Sequence, residues 1–310
     1  MRTWLLVLAQ ISGVLSGPDP AQMEKAPDLG YKPIPHGLTL PAGMKMGAPS
    51  SAAFDAHGHL LVFTRGEYPL MEFDVRTGAL VRTFGGGYVR AHGMRVDPEG
   101  HIWTTDVNGH TVTKMSPAGE VLLTLGTKGQ PGAWDEAKGT RLLYEPNDVA
   151  FAPNGDLFIV QGHGRGEPRV LRFDRRGTFI TSWGGTGTGP GQFNLSHSVI
   201  VDAQSRVYVA DRENRRVQIF DVNGRFLKEW RFAGLPCGLY MGKDQQIYLA
   251  SGFAGQILKL DANGNAIGMM GQPGKGLGEF GEAHFLTLGP NGDIYVADTV
   301  KPDLHRFAAR

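Results

Sequence analysis

At 310 residues with 41% hydrophobic content, the chain is long enough to bury one large core or two small ones. A formal charge of +1 with both signs interspersed leaves no basic face, so nucleic acid is not an expected partner. The lone cysteine, Cys237, excludes an internal disulfide, and 45 glycines spread through turn-like contexts call for many short strands.

In chain order, residues 1–17 (MRTWLLVLAQISGVLSG) carry Arg2 and then an apolar run, the pattern of a secretory signal. If it is one, the protein is periplasmic or secreted; otherwise it is cytoplasmic. Residues 18–37, rich in proline and charge, are expected to form an extended lead-in. No later run approaches the length of a membrane span.

From residue 38 to 310 the chain repeats. The unit is clearest from Leu195 to Phe220, LSHSVIVDAQSRVYVADRENRRVQIF. A β-branched strand ends in a polar turn at Asp202 to Arg206, a second strand ends in Asp211, and a third restarts at Val217 after a charged turn. The residue closing the first strand recurs as Asp55, Asp97, Ala152, Asp202, Gly242 and Gly289, at intervals of roughly 40 to 55 residues. Most units add a fourth strand ending in glycine. Four strands repeated six times predict an all-β, six-bladed β-propeller. The last unit has three strands, so residues 38–43 are expected to supply its fourth and close the ring, removing exposed edges. Residues 130–144 read as an irregular loop on one face.

In a propeller the first strand of each blade lines the central channel. Five residues before each marker stand Ser50, His92, Asn147, His197, Cys237 and His284, a histidine in every second blade. Three imidazoles spaced around one axis converge on a point. Three nitrogen donors without a thiolate suit Zn2+, with a fourth position open to water or substrate. Cys237 reads as a small packed residue. Nine residues past each marker stand Thr64, Asp106, Gln161, Asp211, Ser251 and Asp298, the aspartates read as turn-tying groups. One position further on, Arg65 and Arg212 fall in opposite blades, where guanidinium groups could hold a carboxylate.

These blades resemble NHL repeats. The segments HSVIVD, VYVADRENRRVQIFD, HGMRVDPEGHIWTTDVNGHTVTKMSP and VFTRG resemble the peptidyl-α-hydroxyglycine α-amidating lyase family, notably its bacterial members, over residues 38 to 307. The resemblance implies zinc on His92, His197 and His284, with active-site arginines at Arg65 and Arg212. It implies cleavage of a carbinolamide, a peptide ending in α-hydroxyglycine, into a peptide amide and glyoxylate. Three positions depart from the family. His163 stands where a catalytic tyrosine is expected and could serve as acid or base. Glu282 replaces a methionine, and Phe285 replaces an aspartate associated with a structural Ca2+, which speaks against that ion. The alternatives are a zinc-dependent hydrolase of esters, lactones or phosphotriesters, and a non-catalytic NHL-type interaction module. The expected partner is a small-molecule or peptide substrate, and the expected state is a monomer.

Overall fold

Short β-branched and aromatic runs, each stopped by a polar turn, fold into antiparallel meanders because every turn returns the chain beside the strand just made. A computed structural model describes residues 23–164 and 166–309; the expected signal segment lies outside them. Six four-stranded sheets follow one another around a channel. Their inner strands are Ala48–Phe54, Ala91–Val96, Pro146–Phe151, Ser196–Val201, Pro236–Met241 and Ala283–Leu288. The protein is a six-bladed β-propeller, as the repeat predicts. No helix among the described residues is long and apolar enough to cross a membrane.

The ring closes through an N-terminal strand, but not through residues 38–43. Tyr31–Ile34, inside the expected lead-in, pairs antiparallel with Asp303–Ala309 and completes blade six. Residues 38–43 lie alongside instead. Thr39 bridges to Ala79, while Leu38 and Leu40 pack on the apolar cluster between blades six and one. Pairing depends on where the chain must enter the sheet, which local hydrophobicity does not specify. The segment 130–144 is also more regular than expected. Trp134–Asp135 pairs with Thr140–Arg141 around a short 3-10 turn, Glu136–Lys138.

The core is divided into six apolar clusters, each lying between two neighbouring blades. Second strands such as Val207–Asp211 and Ile247–Ser251 are buried along their whole length because a blade covers each face. In blades one, two and four the turn after the inner strand is tied by its marker aspartate. The Asp97 carboxylate accepts from the amides of Glu99 and His101, and Gly100 takes the left-handed conformation at φ 86°.

Two recurring features aim side chains into the channel. In all six blades the pairing of inner and second strand shifts register at or beside the channel-ring position: Ser50, His92, Asn147, His197, Cys237 and His284 each sit in the irregularity. A bulge inserts one unpaired residue and re-aims it. In blades two, four and six, the aspartate ending the second strand then pins the chain entering the inner strand. Asp106 accepts from the amides of Val89 and Arg90, Asp211 from Asn194, and Asp298 from Gly281 and Glu282. The three histidines therefore come from segments fixed just upstream by a buried carboxylate.

Candidate metal centre

His92, His197 and His284 meet on the channel axis. Their ring centroids are 4.7, 4.7 and 4.9 Å apart, close to an equilateral triangle. Each Nδ1 lies against a backbone carbonyl of the next channel-ring residue: Asn147 at 2.8 Å, Cys237 at 3.0 Å and Ser50 at 2.7 Å, respectively. A carbonyl can only accept, so Nδ1 carries the proton and donates. The Nε2 lone pairs are left for the channel. Nε2 of His92 and of His197 is buried with no hydrogen-bond partner among the described residues. Burial and neighbouring charge hold His92 and His197 well below the ordinary imidazole value, and burial pushes His284 down to about 4 despite the opposing Glu282 carboxylate. Three neutral imidazoles with fixed tautomers, two of them with orphaned Nε2 atoms, fit a tetrahedral divalent ion with one position open.

His163 joins them. Its ring lies 4.9 Å from His92 and 5.6 Å from His197, and one nitrogen from each of the three comes within 4.8 Å of the others. It stands in the loop after the second strand of blade three. Burial and the Arg90 charge push it down to about 3, so it rests neutral at physiological pH, free to accept a proton and ready to give it up again.

The two predicted arginines arrive with different partners. Arg65 donates from Nε to the carbonyl of Ala91 at 3.0 Å, and burial together with Arg90 pushes its guanidinium down to about 10. Arg212 is almost fully buried and donates from Nη2 to Oε1 of Glu282 at 3.0 Å. Thr299 donates to the other carboxylate oxygen of Glu282. Burial alone would raise Glu282; His284, Arg212 and Arg65 outweigh it and keep the carboxylate ionised. Cys237 is fully buried, and burial pushes its thiol up to about 12, which makes it no thiolate ligand.

Below the histidines, Phe285 packs its ring 4.8 Å from His284, 5.6 Å from His92 and 5.8 Å from His197. Arg95, further along the inner strand, forks onto Asp148 at 3.0 and 2.6 Å and reaches the carbonyl of Leu239 at 2.9 Å. The fully buried Asp148 carboxylate also accepts from Ser198. A guanidinium already occupies the carboxylate at this level of the channel, which leaves no free acidic oxygen of Asp148 for a calcium ion.

Neither the place of Arg90 beside this centre nor the pairing of Glu282 with Arg212 is visible in local pattern. A register signal was available. Two positions before the channel ring stand Ala48, Arg90, Glu145, Leu195, Leu235 and Glu282, a third ring in which three members are charged. Arg90, Glu145 and His163 line one cavity of about 530 Å³ together with Asn108, His110 and Tyr144.

Residues 142–256 match a family described as a 6-bladed beta-propeller. Residues 89–115 match the NHL repeat. The chain is 36% identical to human NHL repeat-containing protein 3 over 171 residues, 49% of this chain and 47% of that one. It is 27% identical to peptidyl-glycine alpha-amidating monooxygenase B of Xenopus laevis over 86% of this chain and 34% of the relative. It is 30% identical to peptidyl-alpha-hydroxyglycine alpha-amidating lyase 1 of Drosophila melanogaster over 60% of this chain and 40% of that one. The chain thus spans less than half the length of each of these relatives. Among solved structures, a streptogramin B lyase superposes with a TM-score of 0.65 at 15% identity, covering 90% of this chain and 98% of that one, a likeness of fold.

Proposed function

We propose that this propeller is a zinc-dependent lyase that cleaves a carbinolamide of the peptidyl-α-hydroxyglycine type into a peptide amide and glyoxylate. One observation carries the reading: three neutral histidines from alternate blades, each with Nδ1 tied to a carbonyl, bring their rings within 4.7 to 4.9 Å of one another on the channel axis. The similarity to relatives named for the amidating monooxygenase and lyase supports the choice of reaction.

A zinc ion held by His92, His197 and His284 would supply the Lewis acidity that makes a substrate hydroxyl easier to deprotonate. The remaining work falls to the chain. Arg65 anchors the substrate carboxylate. His163, neutral and beside the triad, accepts the hydroxyl proton and returns it to the amide nitrogen as the C–N bond breaks. The electron pair of the O–H bond becomes the new C=O of glyoxylate, and no water is consumed. Arg212, fixed by Glu282, adds a positive charge at the wall of the site. The test is direct: zinc-loaded protein is incubated with an N-acyl-α-hydroxyglycine peptide and glyoxylate is quantified against the uncatalysed rate. Turnover of an ester or lactone panel without glyoxylate would replace the lyase by a hydrolase. Turnover of neither, with no metal retained, would leave a non-catalytic interaction module.

A further inference from the structure

Three arginines surround the histidine cluster, and their pairing differs. Arg212 is neutralised by Glu282 at 3.0 Å. Arg65 makes one hydrogen bond, to a backbone carbonyl, and no ion pair to any described residue. The Arg90 guanidinium makes neither a hydrogen bond nor an ion pair to any described residue. Arg65 reaches across to the carbonyl of Ala91, the residue next to Arg90, and Arg90 lines the same cavity as His163. Two neighbouring cations with unspent N–H groups repel each other unless an anion sits between them.

We infer that Arg65 and Arg90 form the anion site of this centre, holding a small carboxylate or other oxyanion beside His163, while Glu282 withholds Arg212 from that task. The inference rests on the proposed lyase site for its location and changes its specificity: the substrate anion docks between blades one and two instead of being spanned by opposite blades. The cavity of about 530 Å³ has room for an acylated amino acid behind that anion, with Asn108 and Tyr144 among its polar lining groups. The other charged and titratable groups facing it are Glu145, whose Oε2 accepts from the amide of Gly164 at 2.7 Å, and His110, whose Nδ1 accepts from the amide of Glu145 at 3.1 Å. Both are engaged with backbone amides. Register explains the division of labour, since Arg90 and Glu282 occupy the same position two residues before a channel histidine, in blades two and six.

The experiment is equilibrium binding by calorimetry, which needs no turnover. N-acetylglycine supplies the carboxylate, inorganic phosphate tests whether any oxyanion suffices, and N-acetylglycinamide is the uncharged control; circular dichroism confirms the fold of each variant. N-acetylglycine is expected to bind the wild type, and the amide control at least about tenfold more weakly. Arg90→Gln and Arg65→Gln should each weaken N-acetylglycine by about tenfold or more, with partial recovery in Arg90→Lys. Glu282→Gln should tighten it, because removing that carboxylate releases Arg212; a purely structural role for Glu282 would not raise affinity. Wild-type protein that binds neither anion, an Arg90→Gln variant with unaltered affinity, or a Glu282→Gln variant that binds more weakly would each overturn the inference. Phosphate binding as tightly as N-acetylglycine, with the same variant pattern, would uphold an oxyanion site. Binding as expected without glyoxylate formation from a hydroxyglycine peptide would sink the lyase reading and leave the anion site standing.

Discussion

Blades two, four and six and blades one, three and five share strand frame, bulge and turn, yet only the first set supplies the converging histidines. In the even blades the bulge carries histidine and the second strand ends in aspartate. In the odd blades the bulge carries Ser50, Asn147 or Cys237, and the position equivalent to that aspartate is Thr64, Gln161 or Ser251. The odd blades are not idle: their backbone carbonyls at those three bulges accept the Nδ1 protons that orient the histidines. A repeat fold can therefore split one function between donors of ligands and donors of orientation. The lesson is that a ligand needs its second hydrogen bond as much as its own identity.

The largest expected break in the comparison is His197→Ala. It removes one of three converging nitrogens, so zinc measured in protein purified without added metal should fall from about one per chain to near zero. Asn147→Ala, the odd-blade counterpart, should retain metal because the carbonyl that orients His92 belongs to the backbone. Full zinc in His197→Ala would dismiss the site.

Next in size is Arg212→Lys. A lysine keeps the charge but not the fork on Glu282, and kcat/KM for the hydroxyglycine peptide should fall by about tenfold or more. Unchanged kinetics would make that arginine structural.

The second-strand ends offer a stability comparison. Asp106→Ala removes the acceptor shared by the amides of Val89, Arg90 and Gly109, the last of them buried, and urea titration of the metal-free protein should show a loss of about 3 kcal/mol. Thr64→Ala loses a single hydroxyl bond to the carbonyl of Tyr68 and should cost about 1 kcal/mol. Equal losses would mean that the aspartates have no special part in placing the histidine strands.

The histidines and their odd-blade counterparts also differ in pH response. His92, His163, His197 and His284 all have folded-state values below the ordinary 6.5, so the unfolded chain binds more protons than the folded one as the solution is acidified. Their contribution is fully present above about pH 6.5 and is lost as the pH falls toward 4, each histidine adding up to about 1.4 kcal/mol per pH unit to the slope. Metal-free His197→Ala should show a shallower slope of melting temperature against pH than wild type, whereas Asn147→Ala should keep the slope while lowering the whole curve. Identical slopes for wild type and His197→Ala would show that His197 titrates normally.

Much of this was legible in the chain because a propeller is periodic. Each blade meets its neighbours in the same way, so residues at one register position meet on the axis. His92, His197 and His284 follow from that symmetry, and so does the approach of Arg65, Arg212 and His163 to them. What the sequence by itself determined was the blade number, the turn chemistry and the ring of candidates, since these rest on local pattern and on repetition. Tertiary structure alone decided the rest. Arg216 stands in the charged run RENRR, where a solvated turn is the natural reading, yet it is buried, with Nε on Asp211 at 2.7 Å and its other nitrogens on Glu229 and the carbonyls of Thr188, Gly189 and Gln192. The closing strand at Tyr31–Ile34, the capture of Arg212 by Glu282 and the exposure of Arg90 to the cavity are equally invisible to local pattern. Each depends on which charges the closed ring brings within a few ångströms of one another, a relation between residues distant in sequence and specific to one place in the ring.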